Sequence, residues 1–160
     1  MGLCISIEHV GSTAVPALAA KPIIDIDIIY NEVSDFEQIK KSLEAIGYDH
    51  NGDQGIVGRE VFKRTGQQKD AVLDRITHHL YACQYNCPEL HRHLLFRDYL
   101  RKNKEARNYY QQLKYEIAEE ANQDKKVYAS LKELKANSFI NYIITLSKAA
   151  HCGFDKVKCK

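Results

Sequence analysis

The apolar positions of this chain follow two rhythms. Up to about residue 87 they recur largely at every second position, and beyond it at every third or fourth. In "LCISIEH", residues 3–9, Leu3, Ile5 and Ile7 alternate with Cys4, Ser6 and Glu8, which predicts a half-buried strand. "PIIDIDIIY" predicts a second strand, because runs of β-branched residues suit a pleated surface. On it Ile24, Ile26 and Ile28 share one face, and Ile23, Asp25, Asp27 and Ile29 share the other. Between the two, "GSTAVPALAA" reads as a tight turn at Gly11 and a short helix. Ser12 or Thr13 is placed to cap that helix, Pro16 falls in its first turn and Pro22 stops it. "SDFEQIKKSLEAIGY" is an amphipathic helix with the stripe Phe36, Ile39, Leu43, Ile46. Ser34 with Glu37 three residues on forms a capping-box pattern, and Gly47 ends the helix. "DHNGDQGIVGRE" is a polar, glycine-rich loop. "REVFKR" and "THHLYAC" are short strands, joined by a hairpin connection through "KRTGQQKDAVLDR".

From Pro88 the period becomes helical. "PELHRHLLFRDYLRKN" begins the first helix, and further helices are expected over residues 104–122 and about 124–149. Their apolar stripes are Tyr109, Leu113, Ile117 and then Leu131, Leu134, Phe139, Tyr142, Leu146. The pattern predicts an α+β fold in one domain, residues 1–150, with a mixed sheet core over about 3–87 and a helical C-terminal half over about 88–150. Residues 151–160 read as a tail. There is no internal repeat and no low-complexity segment.

Composition narrows the function classes. The chain has 160 residues, 44% hydrophobic and 28% charged, enough to bury a core. Its net charge of +2, from 23 basic and 21 acidic residues, gives no argument for bulk nucleic-acid binding. The ten tyrosines lie mostly at helical spacing with Leu and Ile, not interleaved with lysines on strands as a nucleic-acid platform requires. No apolar run is long enough for a membrane span. Five cysteines, an odd count without a secretory signal, are expected to be reduced thiols in a cytoplasmic protein. Cys83-x3-Cys87 with His79 or His91 matches no standard zinc spacing. "MGLCIS" fits a myristoylation pattern, but it runs straight into a strand and is read as a chance match.

Asp25 and Asp27 carry the chemistry. On a strand they project to one side, about 6.5–7 Å apart. Two carboxylates there repel each other and lose solvation, so a divalent cation or basic side chains must compensate. Oxygen ligands suit Mg²⁺ or Mn²⁺, which commonly bridge carboxylates to substrate phosphates. The Gly11-Ser12 turn, between a strand and a helix, has backbone N–H groups able to cradle those phosphates. Together these point to phosphoryl or nucleotidyl transfer.

The same residues carry a resemblance. Gly-Ser, a short helix and then Asp-Ile-Asp on the next strand resembles the signature of the polymerase-β-type nucleotidyltransferase superfamily. More closely, "IEHVGSTAVPALAAKPIIDIDI", "THHLYAC" and "HRHLLFRDYLR" resemble the GrpB family, over about residues 5–145. The resemblance implies a nucleotidyltransferase-like mixed β-sheet and some relatives joined to a dephospho-coenzyme A kinase domain. It also implies that Asp25 and Asp27 are catalytic and hold Mg²⁺ (or Mn²⁺) while a nucleotidyl group passes from a nucleoside triphosphate to a hydroxyl on a small molecule or protein. Family members carry a helix-bearing segment ahead of the first strand, and without it one face of the sheet is expected to be open. Active transferases of this superfamily need a third carboxylate. "THHLYAC" has none; His79 stands near the expected place, with His78 as the alternative, and Glu60 is the other candidate.

The remaining candidates are substrate-binding. Lys21 stands to neutralise an aspartate or reach a phosphate, or is a solvated helix-end lysine. Arg59 and Lys63 share a strand face and are expected to meet phosphates or to form a charged edge. His93 and Arg97 share a helical face; Arg97 closes the pocket over a nucleotide or pairs with an aspartate. Three functions stay open: a Mg²⁺-dependent nucleotidyltransferase, a catalytically inactive module that binds a nucleotide or phosphorylated ligand, and a structural or interaction protein.

Overall fold

The computed structural model describes residues 3–122 and 124–150. The myristoylation pattern at Gly2 and the expected tail at 151–160 lie outside these residues. Five strands form one sheet: β1 (Ile5–Val10), β2 (Ile24–Tyr30), β3 (Tyr48–His50), β4 (Arg59–Arg64) and β5 (His78–Gln84). Four helices follow the order α1 (Val33–Ala45), α2 (Pro88–Lys102), α3 (Lys104–Glu120) and α4 (Lys125–Ala150). The strand order is β1-β2-β5-β4-β3. Only β2 and β5 run parallel; every other pair is antiparallel. The fold is therefore mixed α+β with a helical C-terminal half.

β2 lies inside the sheet, between β1 and β5. Its two faces feed different cores, as the alternation of Ile and Asp requires. Ile26 and Ile28 pack with Leu80, Phe62 and Tyr48 beneath Ile39 and Leu43 of α1. On the opposite face Ile29 joins Val10 and Cys83 beneath Leu90 and Leu94 of α2. A third core ties the turn after β1 to the helices, through Val15, Leu18, Leu100, Tyr110 and Ala136. Each buried Leu or Ile of this kind contributes roughly 1.5–3 kcal/mol.

Several local expectations change. The segment after Gly11 makes a single 3₁₀ turn, Ser12–Ala14, and no further helix. The chain then passes through Ala17 at φ +60, a conformation that ends any helical continuation. α1 is capped by Glu32, not Ser34, in a reciprocal capping box with Asp35. β3 falls at the edge of the segment read as a loop. Asn103 ends α2 and caps α3, its side chain accepting from the Ala106 N–H at 2.9 Å. In the α3 and α4 stripes, Ile117 is buried, but Tyr109, Leu134 and Tyr142 are exposed. Cys83 and Cys87 are free thiols as expected, whereas Cys4 is disulfide-bonded. No helix among the described residues is long and apolar enough to cross a membrane.

Candidate functional site

Register places the two aspartates. Asp25 lies opposite Val10 on β1 and His79 on β5; Asp27 lies opposite Glu8 and Tyr81. Each carboxylate is met by an imidazole. Asp25 Oδ1 accepts a hydrogen bond from His79 Nδ1 at 2.9 Å. Asp27 has no solvent exposure, and its Oδ2 accepts from His93 Nδ1, on α2, at 2.8 Å. The second imidazole nitrogen of His93 is 3.5 Å from Glu89 Oε1. Burial works against a charge on His93, but the hydrogen bonds to Asp27 and Glu89 outweigh it and raise its pKa to about 9. The other oxygen of Asp27, Oδ1, is buried without a hydrogen-bond partner. The local compensation of this acidic pair is thus histidine, not Lys21.

Gly11 is required by the same geometry. Its φ is +73, and a Cβ there would stand 2.3 Å from Asp25 Oδ2. The chain can only bring the turn this close to the acidic strand with no side chain at residue 11. The turn then presents Ser12, whose Oγ accepts from Lys114 Nζ of α3 at 3.0 Å. The same ammonium also donates to the Ala19 carbonyl.

A cavity of about 630 Å³ opens between this turn, the Asp25 end of β2 and helices α2, α3 and α4. Gly11, Ser12, Asp25, His79 and His93 line it. So do four lysines: Lys21, Lys114, Lys125 and Lys132. Burial, followed by the like charge of Lys132, lowers the Lys114 pKa to about 8. Lys132 is also shifted down, by burial against the pull of Asp25 and with the push of Lys21. The arginines of the cavity are already paired: Arg92 lies 3.4 Å from Glu89, and Arg97 lies 2.6 Å from Glu8. None of the four lysines has a carboxylate within ion-pair distance among the described residues; Lys21 rests over the Tyr128 ring, 4.4 Å from its centroid.

The expected site residues divide. Gly11, Ser12, Lys21, Asp25, His79 and His93 come together at the cavity, with Asp27 buried behind His93. Arg97 lines the cavity but is held by Glu8, Asp98 and the His9 carbonyl, and does not pair with Asp25 or Asp27. Arg59 and Lys63 stand outside it: Arg59 lies over the Tyr81 ring, 4.7 Å from its centroid, and Lys63 is exposed on β4 opposite Asp49. Glu60 faces the other side of the sheet, bonded to His50 at 2.6 Å, and does not reach the aspartates. His78 also faces away, bonded to Tyr48 at 2.6 Å. Among the described residues no group of three or more His, Cys, Asp or Glu is arranged to hold a metal ion.

Lys114 and Lys132 are absent from the sequence expectations. Lys114 carries a readable signal, since it falls in the buried stripe Tyr110, Lys114, Ile117 of α3, where an unpaired lysine needs a reason. Lys132 carries none, because α4 has lysines on several faces.

Fold and site define an α+β protein with a cationic cavity roofed by its helices and floored by a glycine–serine turn and an acidic strand. The family model described as "GrpB protein" matches residues 1–144, and the chain belongs to the GrpB family. It is 39% identical over 114 residues to the UPF0157 protein YqkA of Bacillus subtilis, a match covering 71% of this chain and 31% of that one. It is 32% identical over 136 residues to the glutamate-rich protein GrpB of Alkalihalophilus pseudofirmus, covering 84% and 76%. The crystal structure of the conserved protein GrpB from Enterococcus faecalis is similar with a TM-score of 0.69 and 33% identity, covering 91% of this chain and 81% of that one. The chain spans 31% of YqkA and 65% of the UPF0157 protein SCO7215 of Streptomyces coelicolor.

Proposed function

We propose that the chain binds a nucleoside triphosphate, or a ligand of the same polyphosphate chemistry, in the cavity between sheet and helices. One observation carries this reading. Lys114 reaches Ser12 Oγ at 3.0 Å, and Lys21, Lys125 and Lys132 line the same space with no carboxylate within ion-pair distance among the described residues. Clustered ammonium groups repel one another, and a polyanion among them relieves the repulsion and accepts their hydrogen bonds. The phosphates would lie against the turn at Gly11 and Ser12. Titration calorimetry with ATP tests it: saturable heat that falls roughly 10- to 100-fold in affinity in Lys114→Met supports the reading. No heat with any triphosphate, with or without Mg²⁺, overturns it.

A second reading is nucleotidyl transfer to a hydroxyl acceptor, on a nucleotidyltransferase-like fold. What favours it is the acidic strand: Asp25 lines the cavity, and Asp27 Oδ1 is buried with no partner. The donor set, carboxylate oxygens only, fits a hard divalent cation such as Mg²⁺ or Mn²⁺, and Asp25 and Asp27 are the residues that would hold it. A cation held by these two carboxylates would supply charge neutralisation at the transferring phosphorus. In this reading His93, bonded to Asp27, would orient it, and His79, in register with Asp25, would stand in for the third carboxylate. Label moving from α-labelled ATP to an acceptor, and lost in the Asp25→Asn, Asp27→Asn double variant, supports transfer. Label incorporation that the double variant leaves unchanged excludes these residues as its catalysts.

A further inference from the structure

Lys114 is buried without a counter-charge among the described residues. It stands in the apolar stripe of α3, one turn beyond Tyr110, with 9% of its surface exposed. Among the described residues its hydrogen bonds go to neutral oxygens, Ser12 Oγ at 3.0 Å and the Ala19 carbonyl. An ammonium held this way loses solvation and gains no ion pair, so the site makes the free amine easier to reach than in water. The lowered pKa of Lys114 agrees with that balance. Ser12 is half-buried and lines the cavity. The Tyr110 hydroxyl contacts the Ser12 side chain, and Lys114 Nζ lies 5.5 Å from the Tyr110 ring centroid. A hydroxyl within hydrogen-bond reach of a buried amine, with a third polar group beside both, is the arrangement of a nucleophile and its base. Serine–lysine pairs perform that chemistry on several unrelated folds.

We infer that Ser12 is a nucleophile for acyl transfer, with Lys114 as its base, and that the substrate is an ester or thioester with a short apolar acyl group. The acyl preference comes from the walls beside Ser12, where Val15, Leu18, Leu100 and Ile140 line the cavity. The neutral amine of Lys114 takes the Ser12 hydroxyl proton as the Oγ–carbonyl carbon bond forms. The bond from that carbon to the leaving oxygen or sulfur breaks, and the alcohol or thiol departs with the proton returned from Lys114. Water then attacks the acyl-serine. Its proton passes through Lys114 to Ser12 Oγ, and the carboxylic acid is released. This activity goes beyond polyphosphate binding and uses Lys114 in the opposite charge state, as amine and not ammonium.

The test is covalent labelling of the full chain with an alkyl fluorophosphonate, mapped by peptide mass spectrometry, together with p-nitrophenyl butyrate hydrolysis. We expect the adduct on Ser12, and loss of both adduct and hydrolysis in Ser12→Ala. In Lys114→Met, and in Lys114→Arg whose guanidinium cannot give up its proton, we expect labelling slowed on the order of 100-fold. Circular dichroism establishes that each variant is folded. A folded wild-type chain that forms no Ser12 adduct overturns the inference whatever the variants do, and leaves polyphosphate binding, measured separately by calorimetry, untouched. An adduct on Ser12 that forms equally fast in Lys114→Met overturns it as well.

Discussion

Asp27 and His93 meet at 2.8 Å across 66 residues of sequence, and the carboxylate is fully buried at the contact. This bond fastens α2 onto the acidic face of the sheet. Removing the imidazole leaves both carboxylate oxygens buried without a partner, because Oδ1 already has none. His93→Ala is therefore expected to lower stability by about 3–5 kcal/mol, as for other buried pairs broken on one side. Urea denaturation midpoints measure it.

The same contact gives a pH dependence with a definite sign. The His93 pKa is raised from 6.5 to about 9 in the folded chain. Its contribution is fully present below the unfolded value near 6.5 and is lost as pH rises through about 9. In metal-free buffer, stability is expected to fall between pH 6.5 and 9 in the wild type. His93→Gln should lose that slope. An equal slope in both proteins assigns it to another group.

Gly11→Ala tests the close approach of the turn to the acidic strand. The residue has φ +73, and the added methyl would collide with Asp25 Oδ2 at 2.3 Å. Strain and collision together should cost about 2–4 kcal/mol and displace Asp25 from the cavity. Thermal unfolding reads the first effect. ATP titration reads the second, as a loss of affinity larger than the fraction unfolded explains.

Lys114→Met should separate stability from binding. The substitution removes a buried ammonium that has no carboxylate partner, so the unfolding free energy is expected to stay within about 1 kcal/mol of wild type. Affinity for ATP should fall at least 10-fold all the same. A parallel fall in both quantities would make Lys114 a structural lysine.

Glu60→Gln serves as a control for the acidic set. Glu60 bonds His50 on the far face of the sheet. The variant should lose about 1 kcal/mol or less from that partly exposed pair and leave ATP binding unchanged.

The sheet was legible because its strands alternate. The placement of Asp25 and Asp27 on one face of an interior strand follows from their spacing and the isoleucines around them. His79 was also within reach, since alternation along "HHLYAC" allows only one of two adjacent histidines on the aspartate side. The helical roof was harder to read. Which face of an amphipathic helix meets a cavity depends on tertiary packing, and a lysine in a buried stripe looks like noise until its neighbours are known. Arg97 shows the limit from the other side. Its spacing from His93 put it on the right helical face, but Glu8, on β1 and 89 residues away, captured it.

The contact of Ser12 with Lys114 joins residues 102 positions apart. In a growing polypeptide the glycine–serine turn and Lys21 emerge long before the helices that roof them, and Lys114, Lys125 and Lys132 follow with α3 and α4. A nascent or truncated chain that ends before α3 can form strands and acidic pair yet encloses no chamber. Under the proposed binding, ligand capture would report on completed folding, because a small molecule in the space would hold the glycine–serine turn and the roofing helices together.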